Sequence, residues 1–406
     1  MIQLLNAVQD LILPFIAAAD GKGSDRKGKD QAVAPEKKEY TTLVEPHTPR
    51  ELSTLLDLAL PDNGQSQVGF LEQAHQILKY SVNTWDAGFL SKLYSSTDAP
   101  GLASELLLAA LNTNVHAYEV SPVLALIEKH TTRALAKLFG LDGPQAGGIS
   151  VQGGSASNTT AIVIARNTLF PDTKIHGNTS TGKLVLFTSA HGHYSISKAA
   201  QMLGLGSSSV RTVYVDPVTG QMDPSALASS IIAAKAAGEV PFFLNATAGT
   251  TVLGSYDSIP ALAAICKEYR LWLHIDGSWG GPAIFSSQQK HKLQGSHLAD
   301  SIAINPHKMM GVPVTCSFLL GADMKLFHKS NTLPANYLFH GDPNETDEVY
   351  DLADLTLQCG RRGDALKLYL AWVYHGSQGF AAQIDCAFET GTYNIFSSRL
   401  TSVAAS

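Results

Sequence analysis

Charge is scarce in this 406-residue chain: only 16% of residues are Asp, Glu, Lys or Arg, and 29 basic against 35 acidic side chains leave a net charge of -6. The surplus of cations that phosphate binding needs is missing, which excludes nucleic acid as the main partner. Cysteine is scarcer still. Cys266, Cys316, Cys359 and Cys386 form no C-x-x-C pair and no disulfide framework, so a reducing, cytoplasmic setting is expected. Cys316 and Cys359 sit in apolar surroundings and read as small core residues. Long hydrophobic runs are also lacking, and none is expected to approach the length of a membrane span. The leading stretch carries Asp10 and has no basic start, so it does not read as a signal peptide. Its Leu4, Val8, Leu11 and Phe15 fall instead on one face of an amphipathic helix.

What the chain has is enough apolar material, 45% of its residues, for more than a single small core. No internal repeat is visible. A polar, Gly-containing linker at about 20–39 interrupts an N-terminal helical segment, 1–95. Helical patterning continues to about Gly140, with Leu124, Ile127, Ala134 and Leu138 marking one apolar face and Gly140 placed as a C-cap. From Gly147 the pattern changes. "KLVLF", "TVYV", "PFFLN", "LWLHI" and "SIAI" are short β-rich runs separated by helix-patterned stretches. Continuous apolar strands alternating with helices indicate an α/β fold with a mostly parallel sheet covered on both faces, here assigned to 96–345. The last hundred residues return to helical patterns and end in a polar tail.

Ligands of such sheets bind beyond the carboxyl ends of strands. After "KLVLF" come His191 and His193; after "PFFLN" comes "ATAGTT"; after "LWLHI" come Asp276 and "GSWGG"; after "SIAI" come Asn305, His307 and Lys308. A lone lysine between two core-like runs is unusual. On those residues alone a solvated turn is the commoner explanation, and the alternative is a lysine whose pKa burial lowers until its amine becomes a nucleophile. Four strand ends delivering His, Thr, Asp and Lys to one rim favour the second. "VQGGSASN" adds a Gly-rich turn opening a helix, whose free N–H groups and dipole suit a phosphate. Its bland counterpart is an ordinary Ser N-cap. Asp276, ending an apolar strand, needs a cationic partner such as a protonated pyridine nitrogen. His193 suits stacking on an aromatic ring, or is a hydrogen-bonded core histidine. A metal held by His191, His193 and His274 lacks any supporting H-E-x-x-H or cysteine pair. Phosphate cradle, imidazole, ring-nitrogen carboxylate and Schiff-base lysine together are the requirements of pyridoxal 5'-phosphate.

"NATAGTTVLGSYD", "LWLHIDGSWGG", "NPHKMMGV", "LQCGRRGD", "NTNVHAYEVSP" and "HYSISKAA" resemble the group II pyridoxal-phosphate-dependent amino-acid decarboxylases, in particular the glutamate and cysteine-sulfinate branch. The resemblance runs from about residue 45 to about 385. It implies a fold-type I, aspartate aminotransferase-like enzyme with a seven-stranded sheet. It also implies a homodimer with shared active sites, and decarboxylation of an acidic L-amino acid. Residues 346–406 would then begin a small C-terminal domain, incomplete here. Carried over by position, Lys308 would form the Schiff base, Asp276 would hold the pyridine nitrogen protonated, and His193 would stack on the ring. Ser155, Ala156, Ser157 and Asn305 would bind the phosphate, with Thr251 also at the cofactor. Arg361 would grip the substrate α-carboxylate, and Tyr337 would be a loop tyrosine that reaches the neighbouring subunit's site and protonates Cα.

Two positions depart from the pattern. Ser278 stands where the family usually has an alanine under the ring, and Lys92 where glutamate-specific members carry a glutamine near the substrate side chain. Lys92 could pair with a carboxylate or sulfinate, or be a surface lysine. Other readings left open are a different pyridoxal-phosphate reaction and a truncated, inactive dimerising paralogue.

Overall fold

The computed structural model describes residues 1–20, 43–90, 92–333 and 348–403. Tyr337 lies outside the described residues. The chain divides into two compact units, Met1–Thr97 and Asp98–Ser406.

The first unit holds α1 (Ile2–Asp20), α2 (Pro49–Leu55) and α3 (Ser66–Tyr80). Leu4, Val8, Leu11 and Phe15 form the half-buried face of α1, as their spacing predicts, and α1 packs on α3. The Asn83 side chain donates to the Phe15 carbonyl at 2.7 Å and ties down the end of that helix. One expectation needs correction. Within α1, the 18 residues Ile2–Ala19 are long and apolar enough to cross a membrane by length and composition alone. At about 1.5 Å per residue they match a bilayer's hydrocarbon core. Both a docking helix and a span give this composition, because each needs an apolar face.

The second unit is built on one seven-stranded sheet in the order β1-β7-β6-β5-β4-β2-β3. Its strands are β1 (Gly147–Val151), β2 (Leu184–Ser189), β3 (Val210–Val213), β4 (Val240–Thr247), β5 (Trp272–Gly277), β6 (Ser301–Ile304) and β7 (Ser317–Gly321). Strands β3, β2, β4, β5 and β6 run parallel, each beside its neighbour, and β7 runs antiparallel to both β6 and β1. Six of the seven strands thus share one direction. The helices are α4 (Ala99–Leu111), α5 (Pro122–Leu138), α6 (Gly154–Leu169), α7 (Thr173–His176), α8 (Ser195–Met202), α9 (Pro224–Ala236), α10 (Ile259–Tyr269), α11 (Met324–Asn331) and α12 (Ala365–Val403), the last interrupted at Gly376. Alternate side chains of each strand feed two cores, one per face. Leu184, Leu186 and Phe243 pack with α6 and α8, while Val185, Phe187 and Leu244 pack with α9 and α10. Burial on both faces is why these strands read as unbroken apolar runs.

Two core expectations are corrected. On α5 the buried face is Leu124, Glu128, Thr131, Thr132 and Leu135, while Ala134 and Leu138 point outward. The helix is rotated because Glu128 is taken inside to meet Arg361. Among the cysteines, Cys266 and Cys316 are buried, but Cys359 is exposed with Cys386. Cys359 precedes Gly360 on an open turn, so apolar neighbours in sequence do not enclose it.

Candidate active site

The parallel strands end together, and their carboxyl-terminal extensions line one cavity of about 250 Å³. The end of β2 leads to His191 and His193, that of β4 to Thr247 and Thr251, that of β5 to Asp276 and Ser278, and that of β6 to Asn305, His307 and Lys308. Register explains the convergence: Thr247 lies opposite Asp276, and Asp276 opposite Ala303, so the ends of β4, β5 and β6 are level. Lys308 is set by a tight turn after Pro306, in which its N–H donates to the Asn305 carbonyl at 3.0 Å. The neighbouring His307 ring is anchored at Cys316 through its Nδ1.

One end of the cavity is the start of α6. Gly153, with φ at +89°, turns the chain so that Gly154 and Ser155 present the first turn of that 16-residue helix to the cavity. The positive dipole end of that helix suits an anion. Gly154 has no room for a side chain, since a Cβ there would lie 2.4 Å from Ser278 Oγ and 2.9 Å from Asn305 Nδ2. With its amide oriented to suit its neighbours, Asn305 donates to Ile304 O and Ser317 Oγ and accepts from the Gly154 N–H.

The opposite wall carries the charges. Asp276 is almost fully buried. Burial alone would raise its carboxyl, but donors on Ser278 and Asn158, with His274 nearby, hold it below its ordinary value. It therefore stays a carboxylate and waits for a cation. Burial lowers the Lys308 ammonium, against the opposing pull of Asp276. Burial also lowers His193, with Asp276 raising and Lys308 further lowering it. The Ser195 N–H donates to His193 Nδ1 at 3.2 Å, leaving Nε2 to carry the proton of the neutral ring.

Of the sequence-predicted residues, Ser155, His193, Thr251, Asp276, Ser278, Asn305 and Lys308 line the cavity together. Ala156 and Ser157 do not: the Ser157 hydroxyl is fully buried and turned back toward the Gly153 carbonyl. Arg361 is not brought there either. Its guanidinium forms a buried bidentate pair with Glu128, at 2.9 and 3.1 Å, and also donates to Ser150. In this structure that fork is filled by Glu128 rather than turned to the cavity. Lys92 belongs to the first unit, where its side chain is exposed. His274 uses both ring nitrogens, on Ser301 and Asn158, which removes it from any metal trio with His191 and His193. Sequence reading passed over Asn158, while Gly154 and Thr247 lie in the Gly-rich turn and the "ATAGTT" run already singled out. Asn158, one polar residue within a helix, gave no local signal.

Residues 49–399 match the pyridoxal-dependent decarboxylase conserved domain. The chain belongs to that family. It is 49% identical to an L-aspartate decarboxylase of Metarhizium robertsii over 96% of this chain and 77% of the relative. It is 42% identical to human cysteine sulfinic acid decarboxylase over 85% of this chain and 69% of the relative. The crystal structure of mouse CSAD superposes with a TM-score of 0.84 at 36% identity, covering 96% of this chain and 78% of that one. The fold is thus fold type I, and the enzyme a pyridoxal-phosphate-dependent carboxy-lyase. The cavity of this decarboxylase fits the cofactor on its own evidence. His191 Nδ1 and Thr247 Oγ1 are buried in its wall with no partner among the described residues, and a polar ligand would supply one. The anion-binding helix end and the lysine–carboxylate pair suit a phosphate-bearing, aldehyde-bearing pyridine.

Proposed function

We propose that this enzyme removes the α-carboxylate of an acidic L-amino acid such as aspartate, cysteine sulfinate or glutamate, releasing the amine and carbon dioxide. The observation that carries the site assignment is the meeting of Lys308 and Asp276 at adjacent strand ends, in one cavity that begins at the N-terminus of α6. The acidic substrate class rests on the relatives, whose names include aspartate and cysteine sulfinic acid decarboxylases.

Pyridoxal phosphate, when bound, supplies an electron sink for the pair left behind as carbon dioxide departs. Around it, each residue has a role set by its environment. Lys308 would hold the aldehyde carbon, and burial makes its free amine more available at neutral pH. Asp276, a buried carboxylate, keeps a proton on the ring nitrogen. The first turn of α6, with Ser155 and Asn305, would hold the phosphate, and Ser278 and Thr251 complete the wall of the cavity. His193, a neutral imidazole with its proton on Nε2, would face the cofactor ring. The enzyme acts as a cytoplasmic homodimer with shared sites, a reading supported by family membership.

The test is the near-visible absorption of the purified enzyme with pyridoxal phosphate beside Lys308→Ala. A band in the parent that the variant lacks establishes the attachment, and its absence from a folded parent sinks the assignment. Carbon dioxide release from L-aspartate, L-glutamate and L-cysteine sulfinate then fixes the substrate. Release from none of the three, with release from an aromatic amino acid, would overturn the acidic class. Lys92→Ala checks the expected cation: KM for the acidic substrate should rise several-fold with kcat kept.

A further inference from the structure

Behind Asp276 lies a line of buried polar groups that the roles above do not use. Asn158 Nδ2 donates to Asp276 Oδ2 at 2.9 Å and to Ser195 Oγ at 2.9 Å. Asn158 Oδ1 meets His274 Nε2 at 3.0 Å. His274 Nδ1 meets Ser301 Oγ at 2.9 Å, and Trp272 Nε1 donates to the same oxygen at 2.9 Å. All six residues are at least 95% buried.

Every proton in this line can be assigned from its ends. Asp276 as a carboxylate only accepts, so Asn158 must turn its NH2 toward it and its carbonyl toward His274. An amide oxygen only accepts, so His274 carries its proton on Nε2. Its Nδ1 is then a bare acceptor, and Ser301 must donate to it. The Ser301 oxygen is left to accept, and the indole N–H of Trp272, which only donates, fills it. Assignments made from the two ends agree, and no member competes with another. Burial holds the His274 pKa down to about 4, so the ring remains neutral and the direction stays fixed near neutral pH.

We infer that Trp272, Ser301, His274 and Asn158 form a one-way hydrogen-bond relay, with His274 and Asn158 as positioning residues that aim a donor at Asp276 and fix its carboxylate on the cofactor ring. Such a line polarises along its length, so each link strengthens the next. This rests on the reading that Asp276 faces the ring nitrogen, and the experiment separates the two claims.

Pyridoxal phosphate dissociation constants and near-visible spectra are measured for the parent, His274→Leu, His274→Gln and Asp276→Asn. Glutamine keeps a side-chain NH2 at the reach of histidine Nε2 and an oxygen acceptor, but cannot exchange a ring proton. The expectation is about tenfold weaker cofactor binding for His274→Leu, or about 1.4 kcal/mol. His274→Gln should stay within about threefold of the parent, in keeping with a single modest hydrogen bond. Parent-like binding by His274→Leu overturns the relay, and so does a glutamine variant as weak as the leucine one. If Asp276→Asn leaves both spectrum and affinity as in the parent, the ring-nitrogen reading falls instead. Should His274→Leu not fold, Ser301→Ala decides. Removal of that one oxygen should weaken cofactor binding about threefold with the fold kept, and no change overturns the relay.

Discussion

Arg361 and Glu128 make a sharp prediction because two roles for the arginine lead to opposite results. Both side chains are 1% exposed, and their bidentate contact is reinforced by the Ser150 N–H and hydroxyl, which donate to Glu128 at 2.9 and 2.7 Å. Replacing Arg361 with Met leaves Glu128 buried and charged, with only the Ser150 donors for compensation. Breaking a buried pair from one side costs about 3–5 kcal/mol, which lowers the folded-to-unfolded ratio by roughly two to four decades. Glu128→Gln combined with Arg361→Met removes both charges and keeps an acceptor for Ser150. The double variant should lose only about 1–2 kcal/mol. The two substitutions should therefore be strongly non-additive, with a coupling of several kcal/mol. Urea midpoints of the cofactor-saturated proteins, followed by tryptophan fluorescence, measure this. KM and kcat are recorded alongside. If Arg361→Met keeps the parent midpoint while KM rises, the guanidinium meets substrate in solution and the reasoning from burial is refuted.

Gly154→Ala should weaken cofactor binding at least tenfold, because the new Cβ would sit 2.4 Å from Ser278 Oγ. Adding Ser278→Ala to it should recover part of the loss in an affinity titration, as the hydroxyl is the nearest obstacle. Acid should destabilise the parent more than His274→Gln. The unfolded histidine takes a proton near 6.5 but the folded one only near 4, so stability falls as pH drops through that window. At 1.36 kcal/mol per pKa unit the difference approaches about 3 kcal/mol by pH 4. Unfolding midpoints at pH 7 and pH 4.5 check it, and equal acid sensitivity of the two proteins would show that the ring charges freely in the fold.

The strand runs and the rim residues were legible because both depend on local sequence. A strand buried on two faces must be apolar throughout, and whatever follows it is placed at the sheet's carboxyl edge. Lys308, Asp276, His193 and Ser155 were found that way and line one cavity. Strand direction was less legible. The run before Gly321 is as apolar as its neighbours, and nothing in its composition marks β7 as the one antiparallel member. Arg361 meets a related limit. The "QCGR" motif identifies the residue, but its role depends on which acceptor the fold brings to it, and Glu128 lies 233 positions away.

Asn158 and His274 show the same limit at its most consequential. In sequence, Asn158 is one polar residue in a helix and His274 one histidine in an apolar strand, 116 positions apart. Each taken alone predicts an uncomfortable burial. Together with Ser301 and Trp272 they satisfy one another, and the direction of their bonds is dictated by a carboxylate that only the cofactor's chemistry requires. A buried polar residue in a strand next to a catalytic carboxylate is therefore better judged by whether its protons can be assigned without conflict than by its residue type. By that criterion His274 is tied to the reacting centre, although it does not line the cavity.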